Sequence, residues 1–190
     1  TSVYTGPIDW ELSTIPAELK GLPQWVLWRG ADRVNEQTGE VKLNKIPIDP
    51  QTLDHADTTV PQTWGTFARC VTALRVALEE WEMADPERYR GGGIGFVFTE
   101  KDPYCGIDLD GCVDPHTIMI QPWAWEYVQK LTSYTEITPS GTGLHVLVKG
   151  TLPPYGRKKT PNEMYTYARF FTMTGRSLAG TSETIEARQE

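Results

Sequence analysis

Two apolar runs of strand length, separated by one tight turn, constrain the fold of this chain most strongly. GIGFVF spans residues 93–98, YCGIDLD spans residues 104–110, and Lys101, Asp102 and Pro103 lie in the turn between them. Short apolar runs bounded by turn residues are typical of buried strands. Because buried strands must be covered by other layers, the chain has to build a sheet around this pair.

Further strand patterns lie on both sides of the pair, at residues 24–29, 43–49, 134–138, 143–150 and 164–175. The first two of these predict a hairpin, and the last predicts a pair of strands late in the chain. One helix is predicted with Thr63 as its N-cap and an apolar face formed by Trp64, Phe67, Val71, Leu74, Leu78 and Trp81. A second helix is predicted from about Pro122 to Leu131. Strands outnumber helices, so we predict the α+β class, with mixed β-sheets flanked by helices.

The length of 190 residues is enough for one domain that folds without disulfides or structural metal ions. Three cysteines without a CxxC pair and three histidines exclude a disulfide framework and a zinc-finger array. No apolar run approaches the ~18 residues of a membrane-spanning helix, so no membrane partner is expected. We predict a single, monomeric, cytoplasmic domain over residues 1–190, which we expect to be the N-terminal fragment of a longer protein.

The distribution of charge along the chain is compatible with a nucleic-acid partner. The net charge of -7 counts against such a partner, because contacts to phosphates need Lys and Arg. Residues 79–114, however, hold ten acids and three bases, whereas residues 149–176 hold six bases and Glu163 as their single acid. The basic segment 155–162 is either an arm for a template or primer backbone or a solvated loop.

Three acidic side chains are candidates for metal binding. In GIDLDG, residues 106–111, Asp108 and Asp110 fall on the same face of the predicted strand because side chains alternate along it. Adjacent carboxylates repel each other unless a cation neutralises them, and a hard divalent ion is the natural candidate. Glu163 would complete such a site. The alternative for the two aspartates is a solvated strand end, and for Glu163 a surface ion pair.

The sequence TPSGTGLHV, residues 138–146, is a candidate for anion binding. Gly141 and Gly143 allow a turn whose backbone N–H groups point at an anion, while Ser140 adds a hydroxyl donor and His145 an imidazole donor. The segment lacks the pattern of a Walker loop. The alternative is a hairpin turn followed by a hydrogen-bonded histidine.

In their order, these motifs resemble the primase-polymerase catalytic domain of the archaeo-eukaryotic primase superfamily. The versions most similar stand at the N-terminus of phage and plasmid primase-helicases. The resemblance covers about residues 22–178 and includes the three signatures of the family in order. It implies the archaeo-eukaryotic primase fold with its RRM-like catalytic core.

The resemblance also implies roles for individual residues. Asp108, Asp110 and Glu163 would be the catalytic acids that hold two Mg²⁺ or Mn²⁺ ions. The nucleotide would be bound by Ser140, Gly141, Gly143, His145, Lys45, Arg169 and Thr172, with Thr174 at a similar position. DNA would contact Arg157, Lys158, Lys159 and Arg176.

The activity implied by the resemblance is that of a DNA primase and polymerase, a nucleotidyltransferase. It would transfer a nucleoside monophosphate from an NTP or dNTP to a 3'-hydroxyl on a single-stranded DNA template, with or without a primer. The protein would be encoded by a mobile element, act in a bacterial or archaeal cell, and work with a helicase portion or partner.

Two alternatives come from other classes of protein. A two-metal phosphodiesterase or nuclease would need the acids alone, but it would have no use for the turn at residues 138–146. A non-catalytic nucleic-acid-binding module would need none of the three acids. The zinc-binding clusters of some members of the superfamily are missing, so a metal-stabilised initiation module is not expected here.

Overall fold

The computed structural model describes residues 8–10, 12–152, 157–159 and 162–189, with the backbone alone described at residues 8–10, 42, 157–159 and 162. The chain forms two compact units. The first unit is Lys20–Val97, and the second unit combines Thr1–Leu19 with Phe98–Glu190. The single domain over residues 1–190 stays a prediction.

Twelve strands and three α-helices form within the described residues. The strands are β1 (Ile8–Trp10), β2 (Trp25–Val34), β3 (Val41–Ile48), β4 (Tyr89–Val97), β5 (Tyr104–Leu109), β6 (Thr135–Ile137), β7 (Leu144–Lys149), β8 (Arg157–Lys159), β9 (Asn162–Tyr165), β10 (Phe170–Met173), β11 (Arg176–Leu178) and β12 (Glu186–Ala187). The helices are α1 (Ala17–Lys20), α2 (Phe67–Ala84) and α3 (Pro122–Leu131), and 3-10 turns form at Leu12–Thr14 and Pro61–Thr63. Within this part of the chain, no helix has the length and apolarity needed to cross a bilayer.

In the first unit, β2 pairs with both β3 and β4, and both pairings are antiparallel. The predicted hairpin is therefore confirmed. The strand predicted at residues 93–98 begins earlier than the apolar run, because β4 starts at Tyr89 and runs through the glycines at 91–93. A Cβ at Gly92 would lie 2.7 Å from the Trp28 carbonyl oxygen and 2.9 Å from the Trp81 ring, and one at Gly93 would lie 2.8 Å from the Trp28 indole. These glycines let tryptophans pack directly on the strand.

The predicted helix of the first unit forms, but it begins at Phe67, three residues after Trp64. Its N-cap is Thr66, whose side-chain oxygen accepts a hydrogen bond from the Arg69 N–H, so the prediction of Thr63 is wrong. The Thr63 hydroxyl instead donates to the Val60 carbonyl, inside the preceding 3-10 turn. The buried positions of the helix are Cys70, Ala77 and Trp81, whereas Val71 of the predicted apolar face is 38% exposed.

The second unit contains an eight-stranded sheet in the order β1-β11-β6-β7-β5-β9-β8, with β12 added beside β7. The β12–β7 pairing is parallel and the other pairings are antiparallel. The predicted α+β class with mixed sheets and few helices is confirmed, and it is consistent with a primase-like core. The two strands predicted late in the chain form as β9 and β10, but they do not pair with each other, because β9 pairs with β5 and β8.

One face of this sheet carries the core of the second unit. Side chains alternate between the two faces of a strand, and the residues of β5 and β7 that point to this face are apolar. Helix α3 packs against it. Its buried members include Cys105, Ile107, Leu109, Leu144, Val146, Val148, Ala124 and Val128. The helix has the bounds predicted from the sequence, with Pro122 in its first turn. The residues between these positions, among them Asp108 and His145, therefore point to the opposite face.

Candidate active site

A row of four polar residues crosses the sheet of the second unit on the face opposite α3. The strand register pairs Glu136 of β6 with His145 of β7, His145 with Asp108 of β5, and Asp108 with Glu163 of β9. Residues directly opposite each other in antiparallel strands have Cβ atoms about 4.5–5.5 Å apart. We call Glu136, His145, Asp108 and Glu163 the polar row. Three sequence motifs that are distant along the chain thus meet in one line.

The polar row is closed at one end and open at the other. Glu136 is fully buried, the His145 side chain is 5% exposed, and the Asp108 side chain is 24% exposed. Glu163 is also partly exposed. Solvent, and therefore a substrate, reaches the row from the side of the two carboxylates at Asp108 and Glu163.

Three neighbours fix the imidazole of His145. Its Nδ1 lies 3.0 Å from the carbonyl oxygen of Thr172, and since a carbonyl only accepts, Nδ1 carries the proton. The ring stacks on Phe171 with a centroid distance of 4.2 Å and an interplanar angle of 18°. Nε2 lies 3.7 Å from Oδ1 of Asp108. The second ring nitrogen is therefore directed at the carboxylate side of the row.

Gly106 makes room for the ring on which His145 stacks. A Cβ at Gly106 would lie 2.5 Å from Cζ of Phe171 and 2.8 Å from Cζ of Phe98. These two rings already contact each other edge to face, with centroids 5.1 Å apart, so neither can easily move aside. The glycine is needed for this close approach, next to Asp108.

We expect Gly106→Ala to lower the free energy of unfolding by about 1–3 kcal/mol, because overpacking forces the Phe171 ring out of its position. Urea unfolding of the variant measures the loss. The matched comparison is Phe171→Leu alone and combined with Gly106→Ala. If the two losses add without any relief in the double variant, the contact between them is not the cause.

The turn between β6 and β7 lies against the end of β5. Its hydroxyl groups are linked, with 3.1 Å between the Thr138 and Ser140 oxygens and 2.9 Å between the Ser140 and Thr142 oxygens. Gly141 has a φ of 77°, and a Cβ at Gly143 would lie 2.9 Å from the carbonyl oxygen of Leu109. Glycine is therefore required at both positions. The turn is held one residue away from Asp108.

The acids of the row fit a hard divalent cation in their chemistry. Asp108 and Glu163 offer carboxylate oxygens, the ligands that Mg²⁺ and Mn²⁺ prefer, from directly opposed positions. Asp110 lies in the turn that follows β5 and is exposed. Within the described residues, no three His, Cys, Asp or Glu side chains converge closely enough to hold an ion. The assignment of Asp108, Asp110 and Glu163 as metal ligands stays a prediction.

The other predicted contact residues lie in several places. The Arg169 guanidinium is exposed and stands 5.3 Å from the Tyr165 ring centroid. Thr172 is buried beside His145, and Arg176 donates from Nη2 to the Pro139 carbonyl at 3.1 Å. Lys45 belongs to the first unit, on β3 opposite Gly30. Their roles stay predictions.

The proposed DNA contacts at Arg157, Lys158 and Lys159 fall on β8. The backbone register places Lys158 opposite Glu163, but the side chains of all three lie outside the described part of the structure. Their role, too, stays a prediction.

The sequence reasoning did not assign a role to Glu136, although it is a buried acid beside His145. Burial raises its pKa from 4.5 to about 7, against the lowering effect of hydrogen bonds from Thr174, Tyr134 and Gly175. The signal in the sequence is an acid within the otherwise uncharged strand YTEIT, residues 134–138. A charged residue in such a strand is buried only with specific partners.

The raised pKa of Glu136 makes stability depend on pH. Between pH 4.5 and 7 the folded protein keeps the proton that the unfolded chain releases, so the free energy of unfolding falls as pH rises and levels off above 7. At 1.36 kcal/mol per pH unit the loss reaches about 3 kcal/mol. Urea unfolding of wild type and Glu136→Gln at pH 5 and pH 8 measures it, since the amide does not titrate. A stability difference that is equal at both pH values would contradict this assignment.

Comparison with known proteins connects this geometry to a class of enzyme. No protein-family model matches the chain. The chain is 34% identical over 182 residues to a curated protein of Nitratiruptor phage NrS-1 named DNA primase-polymerase. The match covers 93% of this chain and 22% of that relative, so the chain spans about a fifth of its length. This similarity supports the primase-polymerase resemblance of the motifs.

Proposed function

We propose that this chain is the catalytic domain of a DNA primase-polymerase, which adds nucleoside monophosphates from NTP or dNTP to a 3'-hydroxyl on a DNA template. The observation that carries the proposal is the strand register that sets Asp108 between Glu163 and His145. The similarity to the phage primase-polymerase supports the same activity.

Asp108 and Glu163, joined by Asp110 from the adjoining turn, would hold two Mg²⁺ or Mn²⁺ ions. When bound, such ions lower the pKa of a 3'-hydroxyl and neutralise the charge of a pyrophosphate leaving group. The protein's own contribution is to keep the carboxylates together at the open end of the polar row. The carboxylates and the triphosphate are both negatively charged, so hydrogen-bond donors are needed nearby to bind the triphosphate.

The turn of residues 138–143 and His145 would supply those donors. The Ser140 hydroxyl and the backbone N–H groups of the turn can bind phosphate oxygens. Nε2 of His145 can also donate to a phosphate oxygen when the ring is an imidazolium, because the Nδ1–H is already bonded to the Thr172 carbonyl. Gly143 packs against the carbonyl oxygen of Leu109, one residue after Asp108, and this close approach supports the role proposed for the turn. A hydrolase acting on DNA would have no use for a polyphosphate site of this kind.

The wider setting is proposed from the resemblance of the sequence motifs to primase-polymerase domains. Residues Arg157, Lys158, Lys159 and Arg176 would contact single-stranded template and primer backbones, which predicts affinity that falls steeply with salt. Synthesis of primers de novo and a helicase portion belong to the same proposal. So does action inside the host cell of a phage or plasmid.

The test is incubation of the chain with a single-stranded template, labelled nucleotide and Mg²⁺ or Mn²⁺, with and without a primer. Incorporation that requires both template and metal supports the proposal. Shortening of the DNA without incorporation would favour a nuclease, and DNA binding without either reaction would favour a non-catalytic module. The arm without primer separates initiation from extension.

A further inference from the structure

Glu136 lies at the closed end of the polar row, where no substrate atom can reach its side chain. It is fully buried, and its Oε1 stands 3.9 Å from Nδ1 of His145. A core position on a central strand is filled at lower cost by an apolar residue or a neutral amide. The presence of a carboxylate at this position therefore indicates a specific role.

Three donors converge on this carboxylate. The Thr174 N–H donates to Oε1 at 2.8 Å, the Gly175 N–H donates to Oε2 at 3.0 Å, and the Tyr134 hydroxyl donates to Oε2 at 2.8 Å. Two of the donors are consecutive backbone groups in the connection between β10 and β11. The carboxylate therefore holds this connection, residues 174–175, against β6.

The connection is continuous with Thr172 and Arg176, which contact the two motifs of the proposed polyphosphate site. On its N-terminal side, the Thr172 carbonyl accepts a hydrogen bond from Nδ1–H of His145 at 3.0 Å. On its C-terminal side, Arg176 donates from Nη2 to the Pro139 carbonyl at 3.1 Å, next to Ser140. A shift of the connection would move both the imidazole and the guanidinium.

We propose that Glu136 is a positioning residue for nucleotide binding: by fixing residues 174–175 it orients His145, and through the Arg176 contact with Pro139 the turn that follows, toward the polyphosphate of the incoming nucleotide. This inference rests on the proposed function. It places Glu136 outside the reacting groups, because it acts through His145 and Arg176 and touches neither nucleotide nor metal.

The variant that tests the inference is Glu136→Gln, which keeps the size of the side chain. An amide has one acceptor oxygen, and its NH₂ group cannot accept the N–H that faced the second carboxylate oxygen. We expect the KM for nucleotide to rise about 10- to 100-fold at pH 8, in line with the loss of one charge-assisted hydrogen bond. We expect kcat to change less than about 3-fold, since the reacting groups are untouched.

Controls separate positioning from general damage. Glu126→Gln, on an exposed position of α3, should match wild type in KM and kcat. Tyr134→Phe removes one of the three donors but keeps both backbone contacts, so its rise in KM should be smaller, about 2- to 5-fold. Urea unfolding of each variant confirms that the protein assayed is folded.

The outcomes distinguish this inference from the proposed function. If wild type neither binds nor incorporates nucleotide, the proposed function fails. If wild type is active and Glu136→Gln keeps its KM, or loses kcat with KM unchanged, the positioning role is overturned while the function stands. If Glu136→Gln does not fold, Tyr134→Phe decides, and an unchanged KM in that variant overturns the inference.

Discussion

Asp108→Asn is expected to reduce template-directed incorporation by at least about 1000-fold while leaving the protein folded. Asp108 is the central carboxylate of the polar row, with Glu163 on one side and His145 on the other. Each catalytic ion contributes several kcal/mol to the rate, and each 1.36 kcal/mol is worth a factor of ten. Replacing one carboxylate oxygen by an NH₂ group removes both the charge and a ligand.

The fold should tolerate this change. The Asp108 side chain is 24% exposed and lies on the face opposite the core formed with α3, so the asparagine fits the same space. We expect the free energy of unfolding to stay within about 1 kcal/mol of wild type. Primer extension and urea unfolding measure the two effects, with Glu126→Gln as the matched control. Near-normal primer extension by Asp108→Asn would show that Asp108 is not a catalytic acid.

The strands and α3 could be predicted from local sequence because their signals are local. Every predicted strand run overlaps an observed strand, and α3 has the predicted bounds. Alternation of apolar and polar residues also predicts that Asp108 and His145 point away from the core. What the local pattern does not contain is the identity of neighbouring strands, which depends on long-range packing and register. The order that sets β5 between β7 and β9 came from the structure alone.

The errors in the first unit have a common origin. The predicted strand starts at Gly93, but β4 begins at Tyr89, and Gly92 and Gly93 allow the close approach of Trp28 and Trp81 to it. Thr63 was interpreted as an N-cap, but its hydroxyl is taken by the 3-10 turn and Thr66 begins the helix. Glycine and threonine each have more than one common structural role, and in both places the prediction took the role that the local sequence favours. At the glycines the packing of Trp28 and Trp81 decides, and at Thr63 the preceding 3-10 turn decides.

Glu136 was missed for a different reason. Glu136 belongs neither to the acids predicted to bind metal nor to the donors predicted to bind phosphate. Its partners are the backbone groups of Thr174 and Gly175, which are nearly 40 residues away in sequence. A residue that works by holding another segment shows its role only when that segment is in place.

Glu163→Gln is the second change for which we expect a large effect, a loss of incorporation of about 100- to 1000-fold. Glu163 is directly opposite Asp108 on β9, at the open end of the polar row, so its carboxylate can share a cation with Asp108. Its amide variant keeps the shape of the side chain and removes the charge.

The dependence on metal concentration makes this prediction specific. If Glu163 helps to hold an ion, Glu163→Gln should need more Mg²⁺ or Mn²⁺ to reach half of its own maximal rate, because a carboxylate ligand is lost. The matched control is Glu183→Gln, at an exposed position of the same unit, which should keep the metal dependence of wild type. A variant with lowered activity but an unchanged metal requirement would assign Glu163 to DNA or nucleotide contact. An unchanged rate would show that Glu163 does not hold a catalytic ion together with Asp108. The proposal of two ions at this edge of the sheet would then fail.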